Sequence, residues 1–313
     1  MNNDVQIAPV LLLVFNRPVE TLQVFNAIRN AKPAKLYIAS DGPRINKNGE
    51  VELCQQVKQI ISNVDWECDV KTLFRGNNLG CKYAVATAID WFFENESEGI
   101  ILEDDTLPSN SFFIFCSLML EYFREDKRVM RIAGYNPLIN SFNYSSDYFF
   151  SYFPFMWGWA TWKRAWKYND LEMSNWETVN DLKLNTQYPF NVARNKCFQE
   201  AFDGLDTWDY QWDFSMLCQN GLGVVPAKSL IQNIGFNSNA THTMEDIVGF
   251  RSKVTYNNLS FPLKGPNGLV IPYHKYEKML LNQIWVENLL FKFFLFLRLP
   301  SRIINYIKKK LFK

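Results

Sequence analysis

The stretch GIILEDD, residues 99–105, joins a short apolar run to three consecutive acids. An apolar run of this length that ends abruptly in charge is typical of a strand buried in a parallel sheet. Outward from it, short apolar runs alternate with segments whose apolar residues recur at helical spacing. The runs predict further strands at 10–15, 36–40, 69–74 and 129–133, and the segments predict helices at 20–30, 51–62, 82–94 and 112–123. Strands that alternate with helices predict an α/β fold of the doubly wound kind.

The composition describes a folded chain with a large core. Of its 313 residues, 48% are hydrophobic and 16% aromatic, which excludes an intrinsically disordered protein. A net charge of +1 argues against a nucleic-acid partner. Six cysteines without a C-x-x-C pair, and only two histidines, argue against a zinc site and favour reduced thiols. The N-terminal apolar run is too short for a signal sequence or a membrane span, so we expect a cytoplasmic location.

Polar residues follow three of the predicted strands at their carboxyl ends. These are Asn16-Arg17, Asp41-Gly42 and the acids at 103–105. Ligands of open α/β sheets bind beyond the carboxyl ends of the strands, so these three groups are expected to meet at one site.

The three consecutive acids at 103–105 repel one another unless a cation or a hydrogen-bond donor compensates them. Mg²⁺ and Mn²⁺ prefer oxygen ligands and often complete their shell with substrate phosphates. The pattern therefore favours a divalent-metal site. A solvated acidic turn that caps the following helix is the alternative interpretation.

A second region, residues 149–166, reads FFSYFPFMWGWATWKRAW. So many aromatic rings either pack in the core or form a wall that stacks on flat ligand faces. Trp157 and Trp159 of this region, and Trp208 further along the chain, are candidate acceptor-binding residues.

Several segments, taken in order, resemble a known family. They are VFNRP (14–18), SDGPR (40–44), GNNLGCKYAV (76–85), GIILEDD (99–105), FMWGWATWKRAW (155–166), LDTWDYQWDFSM (205–216) and VVPAKSLIQNIGFNSNATHT (224–243). The chain is similar, over roughly residues 8–245, to the nucleotide-diphospho-sugar transferases of the GT-A type. It resembles in particular the N-acetylglucosaminyltransferase I branch and its bacterial relatives. The resemblance implies a GT-A (Rossmann-like) mixed, mainly parallel sheet flanked by helices.

The resemblance also implies roles for individual residues on the donor side. Asp105 would hold the divalent metal, Mn²⁺ or Mg²⁺. Glu103 and Asp104 would contact the donor sugar and the ribose. Asn16, Arg17 and Asp41 would lie around the base and the phosphates, and Lys82 would lie near the base.

On the acceptor side, the resemblance implies that Asp209 is the general base of an inverting transfer. Tyr210 stands where the family carries a second acid, so Asp213 remains the alternative base. An inverting transfer requires a carboxylate that takes the proton of the attacking hydroxyl. His242, in a polar loop, is either a structural hydrogen-bonding group or a contact for the diphosphate or the metal.

The chain is expected to divide into a catalytic domain and a tail. The domain covers 1–282, with a nucleotide-sugar half at about 8–135 and an acceptor half at about 136–282. In the tail, 283–313, lysines and arginines alternate with bulky apolar residues, which suits an amphipathic helix at the anionic inner face of the cell membrane. Packing on the protein's own surface, or a dimer contact, is the alternative.

Together these features predict an inverting, metal-dependent glycosyltransferase with a nucleotide-diphospho-sugar donor, such as a UDP-sugar. Its expected acceptor is a saccharide or a lipid-linked saccharide of bacterial surface polysaccharide synthesis. Two alternatives remain open at this point. One is a nucleotidyltransferase, which should carry a glycine-rich phosphate loop after the first strand. The other is a catalytically inactive carbohydrate- or membrane-binding module.

Overall fold

The computed structural model describes residues 5–138, 144–236 and 253–284. The prediction for His242 and nearly all of the prediction for the tail therefore fall outside the described residues. All six cysteines lie inside them, and all six are unpaired thiols.

The described residues form one large sheet and one small sheet. The large sheet has eight strands in the order β3-β2-β1-β4-β8-β6-β9-β7, and the small one pairs β10 with β5. The strands are β1 (Val10–Val14), β2 (Lys35–Ser40), β3 (Asp69–Phe74), β4 (Glu98–Glu103), β5 (Thr106–Pro108), β6 (Val129–Ala133), β7 (Tyr148–Ser151), β8 (Trp159–Trp162), β9 (Leu222–Pro226) and β10 (Ile231–Asn233).

Helices connect and cover the strands. They are α1 (Pro18–Ala31), α2 (Glu50–Ile61), α3 (Gly80–Asn95), α4 (Asn110–Tyr122), α5 (Lys163–Trp166), α6 (Trp176–Asp181), α7 (Val192–Phe202) and α8 (Asp209–Cys218). A further helical segment occupies 274–284. In the described part of the chain, no helix is long and apolar enough to cross a membrane.

The large sheet is mixed and mainly parallel. Its first four strands, from β3 to β4, run parallel to one another. β8 is antiparallel to both β4 and β6, so β6 and its parallel neighbour β9 point the same way as the first four strands, while β7 runs against them. This confirms the predicted fold class, an α/β protein with a mixed, mainly parallel sheet flanked by helices.

The central strand β1 is apolar on both faces because helices cover both. Val10, Leu12 and Val14 belong to the core cluster that contains residues of α1, α2 and α4. Leu11 and Leu13 belong to the cluster that contains residues of α3 and α8. Successive side chains of a strand point to opposite faces, so a continuous apolar run is what a doubly covered strand needs.

Candidate active site

Three neighbouring strands place the predicted polar residues at one edge of the sheet. In the parallel register, Leu13 of β1 lies opposite both Ala39 of β2 and Glu103 of β4. The segments that follow these strands therefore leave the sheet side by side. Arg17, Asp41 and the acids 103–105 lie on those segments.

Arg17 forms the closest contact of this edge with the acids. Its Nη1 lies 2.6 Å from Asp105 Oδ2 and 3.4 Å from Asp104 Oδ1. The backbone amide of Phe15 also donates to Asp104, over 3.3 Å. The loop after β1 thus binds two of the three acids. A charge-assisted contact of this kind is stronger than a neutral hydrogen bond.

A tight turn holds the acids in place. The Thr106 hydroxyl accepts from the Glu103 amide and donates to the Glu103 carbonyl, so the chain folds back directly after the triplet. Beyond the turn, the Ile234 amide donates to the Asp105 carbonyl over 2.8 Å. The backbone at Gly235 packs so closely that a Cβ atom there would lie 2.2 Å from Asp105 Oδ2. Only glycine leaves room for that carboxylate oxygen.

If all three acids were ionised, their charge would exceed that of Arg17, their ion-pair partner in the described part of the chain. Burial, together with the charge of Asp105, raises the pKa of Asp104 to about 7. Burial also raises the pKa of Asp105, against the opposing effect of Arg17. The pKa of Glu103 is raised well above its ordinary value by burial and by the neighbouring acids, Asp209 among them. A site that holds several buried carboxylates against one guanidinium favours the arrival of a further cation.

Asp209 reaches this group of acids from the far side of the chain. It is the first residue of α8, and its Oδ1 accepts hydrogen bonds from the Thr207 hydroxyl and the Tyr210 amide. Burial raises its pKa above the ordinary aspartate value. Asp209 is also near enough to the strand-end acids for its charge to contribute to the raised pKa of Glu103. A carboxylate with a raised pKa is a better proton acceptor than a solvated one.

Asp213, the alternative base, is committed to an ion-pair network. Its two oxygens lie 2.7 Å from Nε and Nη2 of Arg194, and Oδ1 lies 3.5 Å from Nη2 of Arg131. Arg131 is fully buried, and burial lowers its pKa to about 10, so it stays charged at neutral pH. Asp213 therefore has both carboxylate oxygens in ion pairs, whereas Asp209 accepts hydrogen bonds from Thr207 and Tyr210 in the described part of the chain.

Asp41 anchors the loop between β3 and α3. It is buried and accepts hydrogen bonds from the Asn78 side chain over 2.9 Å and from the amides of Gly42 and Leu79. A Cβ atom on Gly42 would lie 2.5 Å from the Asn77 carbonyl carbon, which explains the glycine at this close approach. The structure thus shows a loop-fixing role for Asp41 at the expected place.

Asn16 and Lys82, the other predicted donor-side residues, contact further acids. The Asn16 amide donates to Glu50 over 2.9 Å, and Glu50 is buried and paired with Arg44. Lys82 lies at the start of α3, with its Nζ 3.3 Å from Glu172. Neither contact tests a role in nucleotide binding.

The three predicted acceptor-binding tryptophans occupy two different environments. Trp157 is half-buried, and its ring lies 5.6 Å from that of Phe236 and 4.7 Å from that of Tyr135. Trp159 and Trp208 are 0% and 3% exposed, and their rings stack on each other at 5.7 Å. Because both sit in the core, the structure gives them a packing role instead of the predicted ligand contact, and leaves Trp157 as the aromatic candidate.

The residues present fit a divalent cation only as a partial ligand set. Asp105 and its neighbours supply hard carboxylate oxygens, which suit Mn²⁺ and Mg²⁺. Within the ranges that the structure describes, no group of three or more His, Cys, Asp or Glu side chains is arranged to hold a metal by itself. A cation here needs further ligands, which donor phosphates and water commonly supply.

Sequence reasoning did not identify Glu50, Arg131 or Asp206 as part of the architecture around the site; Asp206 accepts hydrogen bonds from the first amides of α3. Each of them binds a partner that is distant in the sequence or lies beyond a loop. A single acid or arginine forms no repeating sequence pattern from which such a contact could be predicted. Arg131 was the most visible of them, since an arginine inside an otherwise apolar predicted strand is unusual.

Comparison with known proteins gives distant structural similarities alone. No family model matches the chain, and no curated protein matches it. One similar solved structure is HddC from Yersinia pseudotuberculosis, with 10% sequence identity over 50% of this chain and 78% of that chain and a TM-score of 0.27. A second is UDP-glucose pyrophosphorylase complexed with UDP-glucose, with 7% identity over 71% of this chain and 90% of that chain and a TM-score of 0.34. A third is the glycosyltransferase GlyE of Streptococcus pneumoniae TIGR4, with 12% identity over 79% of this chain and 61% of that chain and a TM-score of 0.32. All three TM-scores are below 0.5, so these similarities are distant.

Proposed function

We propose that the protein is a glycosyltransferase that moves a hexosyl or N-acetylhexosaminyl group from a nucleotide-diphospho-sugar, such as a UDP-sugar, to a hydroxyl of a saccharide or lipid-linked acceptor. The observation that carries this proposal is the group of strand-end acids paired with Arg17 at the carboxyl ends of the parallel strands. The charge of Asp209 acts on Glu103 of this group. One side of the site then suits a diphosphate and the other a hydroxyl group. The resemblance to the N-acetylglucosaminyltransferase I branch agrees with it.

The proposed mechanism is inverting. Asp209 accepts the proton of the acceptor hydroxyl while that oxygen attacks the anomeric carbon of the donor. The bond from that carbon to the diphosphate oxygen breaks on the opposite face, and the electron pair leaves with the diphosphate. Arg17 provides positive charge where the phosphates lie. Asp105 would hold Mn²⁺ or Mg²⁺, which neutralises charge on the departing diphosphate when bound.

One alternative function, the nucleotidyltransferase, fits the structure less well. Only three residues, Phe15 to Arg17, separate β1 from α1, and Pro18 opens the helix. This connection contains no glycine, so it cannot form the glycine-rich loop whose backbone amides would surround a triphosphate.

A non-catalytic binding module also explains the site poorly. Asp104 is buried and the adjacent Glu103 is half-buried, and desolvation together with the neighbouring acids raises the pKa of both carboxyl groups. Such an arrangement costs stability, and strongly perturbed acids of this kind are concentrated at functional sites. A module that only binds saccharide has no need for them.

The proposed location is the cytoplasm, at the inner face of the membrane. The argument is the mixture of basic and apolar residues at 283–313, which suits an anionic interface and a lipid-linked acceptor. Cosedimentation with anionic vesicles tests it. The full chain should bind the vesicles, a chain that ends at Gln283 should not, and equal binding of the two would refute the proposal.

The donor class can be tested with the purified protein. Its thermal unfolding is followed with UDP-, GDP-, CMP- and dTDP-sugars, each with and without Mn²⁺. Ligands that bind only the folded state raise its melting temperature by mass action. We expect one nucleotide class to stabilise the protein in a Mn²⁺-dependent manner. Absence of a shift with every donor would contradict the proposed function.

A further inference from the structure

The N-terminus of α3 is capped by a carboxylate from a distant part of the chain. Its N-cap residue, Leu79, has no side-chain oxygen and makes no capping hydrogen bond. The first amides of a helix need such an acceptor. Asp206 supplies it: its Oδ2 accepts from the Cys81 amide over 3.0 Å and its Oδ1 from the Lys82 amide over 2.8 Å. Its negative charge also suits the positive end of the helix dipole.

The backbone at Gly80 is shaped to admit this carboxylate. Gly80 has φ of +78°, in the left-handed region that favours glycine. A Cβ atom there would lie 2.8 Å from Asp206 Oδ2. The helix start and the carboxylate are thus fitted to each other, although Asp206 is exposed and lies more than 120 residues further along the chain.

The two segments joined by this cap carry residues to which the proposed function assigns different roles. On one side, the Leu79 amide and the Asn78 side chain bind Asp41 at the end of β2. On the other side, Thr207 follows Asp206 directly and donates its hydroxyl to Asp209. Hydrogen bonds and short stretches of backbone therefore link the strand-end residue Asp41, through the start of α3 and Asp206-Thr207, to Asp209.

We propose that Asp206 is a positioning residue that holds the base Asp209 at a fixed distance from the donor side of the site. This inference rests on the proposed function, in which Asp209 takes the proton of the acceptor. Asp206 itself contacts neither substrate. It acts by joining the loop 205–209 to the first turn of α3, which the Asp41 contacts fix to the sheet.

The test compares Asp206→Ala with Asp206→Asn, which keeps one side-chain oxygen as acceptor. The assay measures release of nucleoside diphosphate from the donor, with acceptor or with water, and the dissociation constant of the donor is measured separately. Misplacement of a catalytic group by about 1 Å can cost a factor of about 100. We expect Asp206→Ala to lower kcat roughly 10- to 100-fold with donor binding unchanged, and Asp206→Asn to recover most of that loss.

A matched control is Glu172→Gln. Glu172 also contacts the start of α3, through the Lys82 ammonium, but its side chain is 70% exposed. This variant should retain the wild-type kcat. An unchanged kcat in Asp206→Ala would overturn the inference, and so would a loss explained entirely by weaker donor binding.

A second readout does not depend on activity. The Cys81 thiol is partly buried next to the capped amide, so loss of the cap should expose it. Peptide mapping after iodoacetamide treatment should show faster alkylation of Cys81 in Asp206→Ala than in the wild type, with the exposed Cys218 unchanged. If the wild type has no transferase activity, the proposed function fails. Equal alkylation rates would then overturn the inference about the cap as well.

Discussion

Replacing Asp209 with asparagine is expected to slow sugar transfer roughly 100- to 10,000-fold, the range over which general bases contribute to catalysis. Asparagine has nearly the same shape and can still accept from the Thr207 hydroxyl and the Tyr210 amide. It cannot take a proton from the acceptor. Donor affinity should stay at the wild-type value, because the proposed mechanism assigns Asp209 to the acceptor side. Initial rates and donor titrations measure the two effects separately.

The control for this variant is Asp203→Asn, at an exposed acid in the segment just before the site. It should transfer sugar at the wild-type rate. If Asp209→Asn also retained full activity, Asp209 would not be the base and the proposed mechanism would lose its proton acceptor. A loss of donor binding equal to the loss of rate would place Asp209 on the donor side instead.

The second large effect is expected on stability. Replacing Asp213 with alanine should lower the free energy of unfolding by about 3–5 kcal/mol, the cost of breaking a buried ion pair by removing one partner. The variant leaves the guanidinium groups of Arg131 and Arg194 without their shared carboxylate. Arg131 is fully buried, and its Nε and Nη1 already have no hydrogen-bond partner within the described residues. Urea unfolding measures the change.

A matched control is Asp65→Ala, which breaks an ion pair with Arg29 at the surface. Asp65 is 66% exposed, so the loss should be at most about 1 kcal/mol. Equal losses in the two variants would show that the Asp213 network is not the internal anchor of α8 that its geometry indicates. Since α8 begins at Asp209, a residue that fixes this helix also fixes the proposed base.

The first half of the fold could be predicted from local patterns. β3 and β6 have the predicted bounds, and the other early strands and helices differ from prediction by a few residues at their ends. Each strand there is an apolar run, and each helix repeats apolar residues at helical spacing. The carboxyl ends of the strands could be located for the same reason, and with them Arg17, Asp41 and the acids 103–105.

The second half could not be predicted in this way. β7 and β8 are four-residue strands within a region rich in aromatic residues. There the apolar residues show neither the alternation of a strand nor the spacing of a helix. Burial of Trp159 and Trp208 depends on α8 folding back over the sheet, a long-range contact that local composition does not contain. The same limit applies to Asp206, whose partners lie more than 120 residues earlier in the chain.

The most direct test of the central claim is a calorimetric titration of wild-type protein and Asp105→Asn with the stabilising nucleotide-sugar, with and without Mn²⁺. Asp105 is the acid that Arg17 binds most closely and that the backbone at Gly235 encloses. The account predicts that Mn²⁺ strengthens donor binding to the wild type at least 10-fold, and that Asp105→Asn folds normally and loses this dependence on Mn²⁺. Donor binding by a folded Asp105→Asn variant with the full Mn²⁺ dependence would contradict the account.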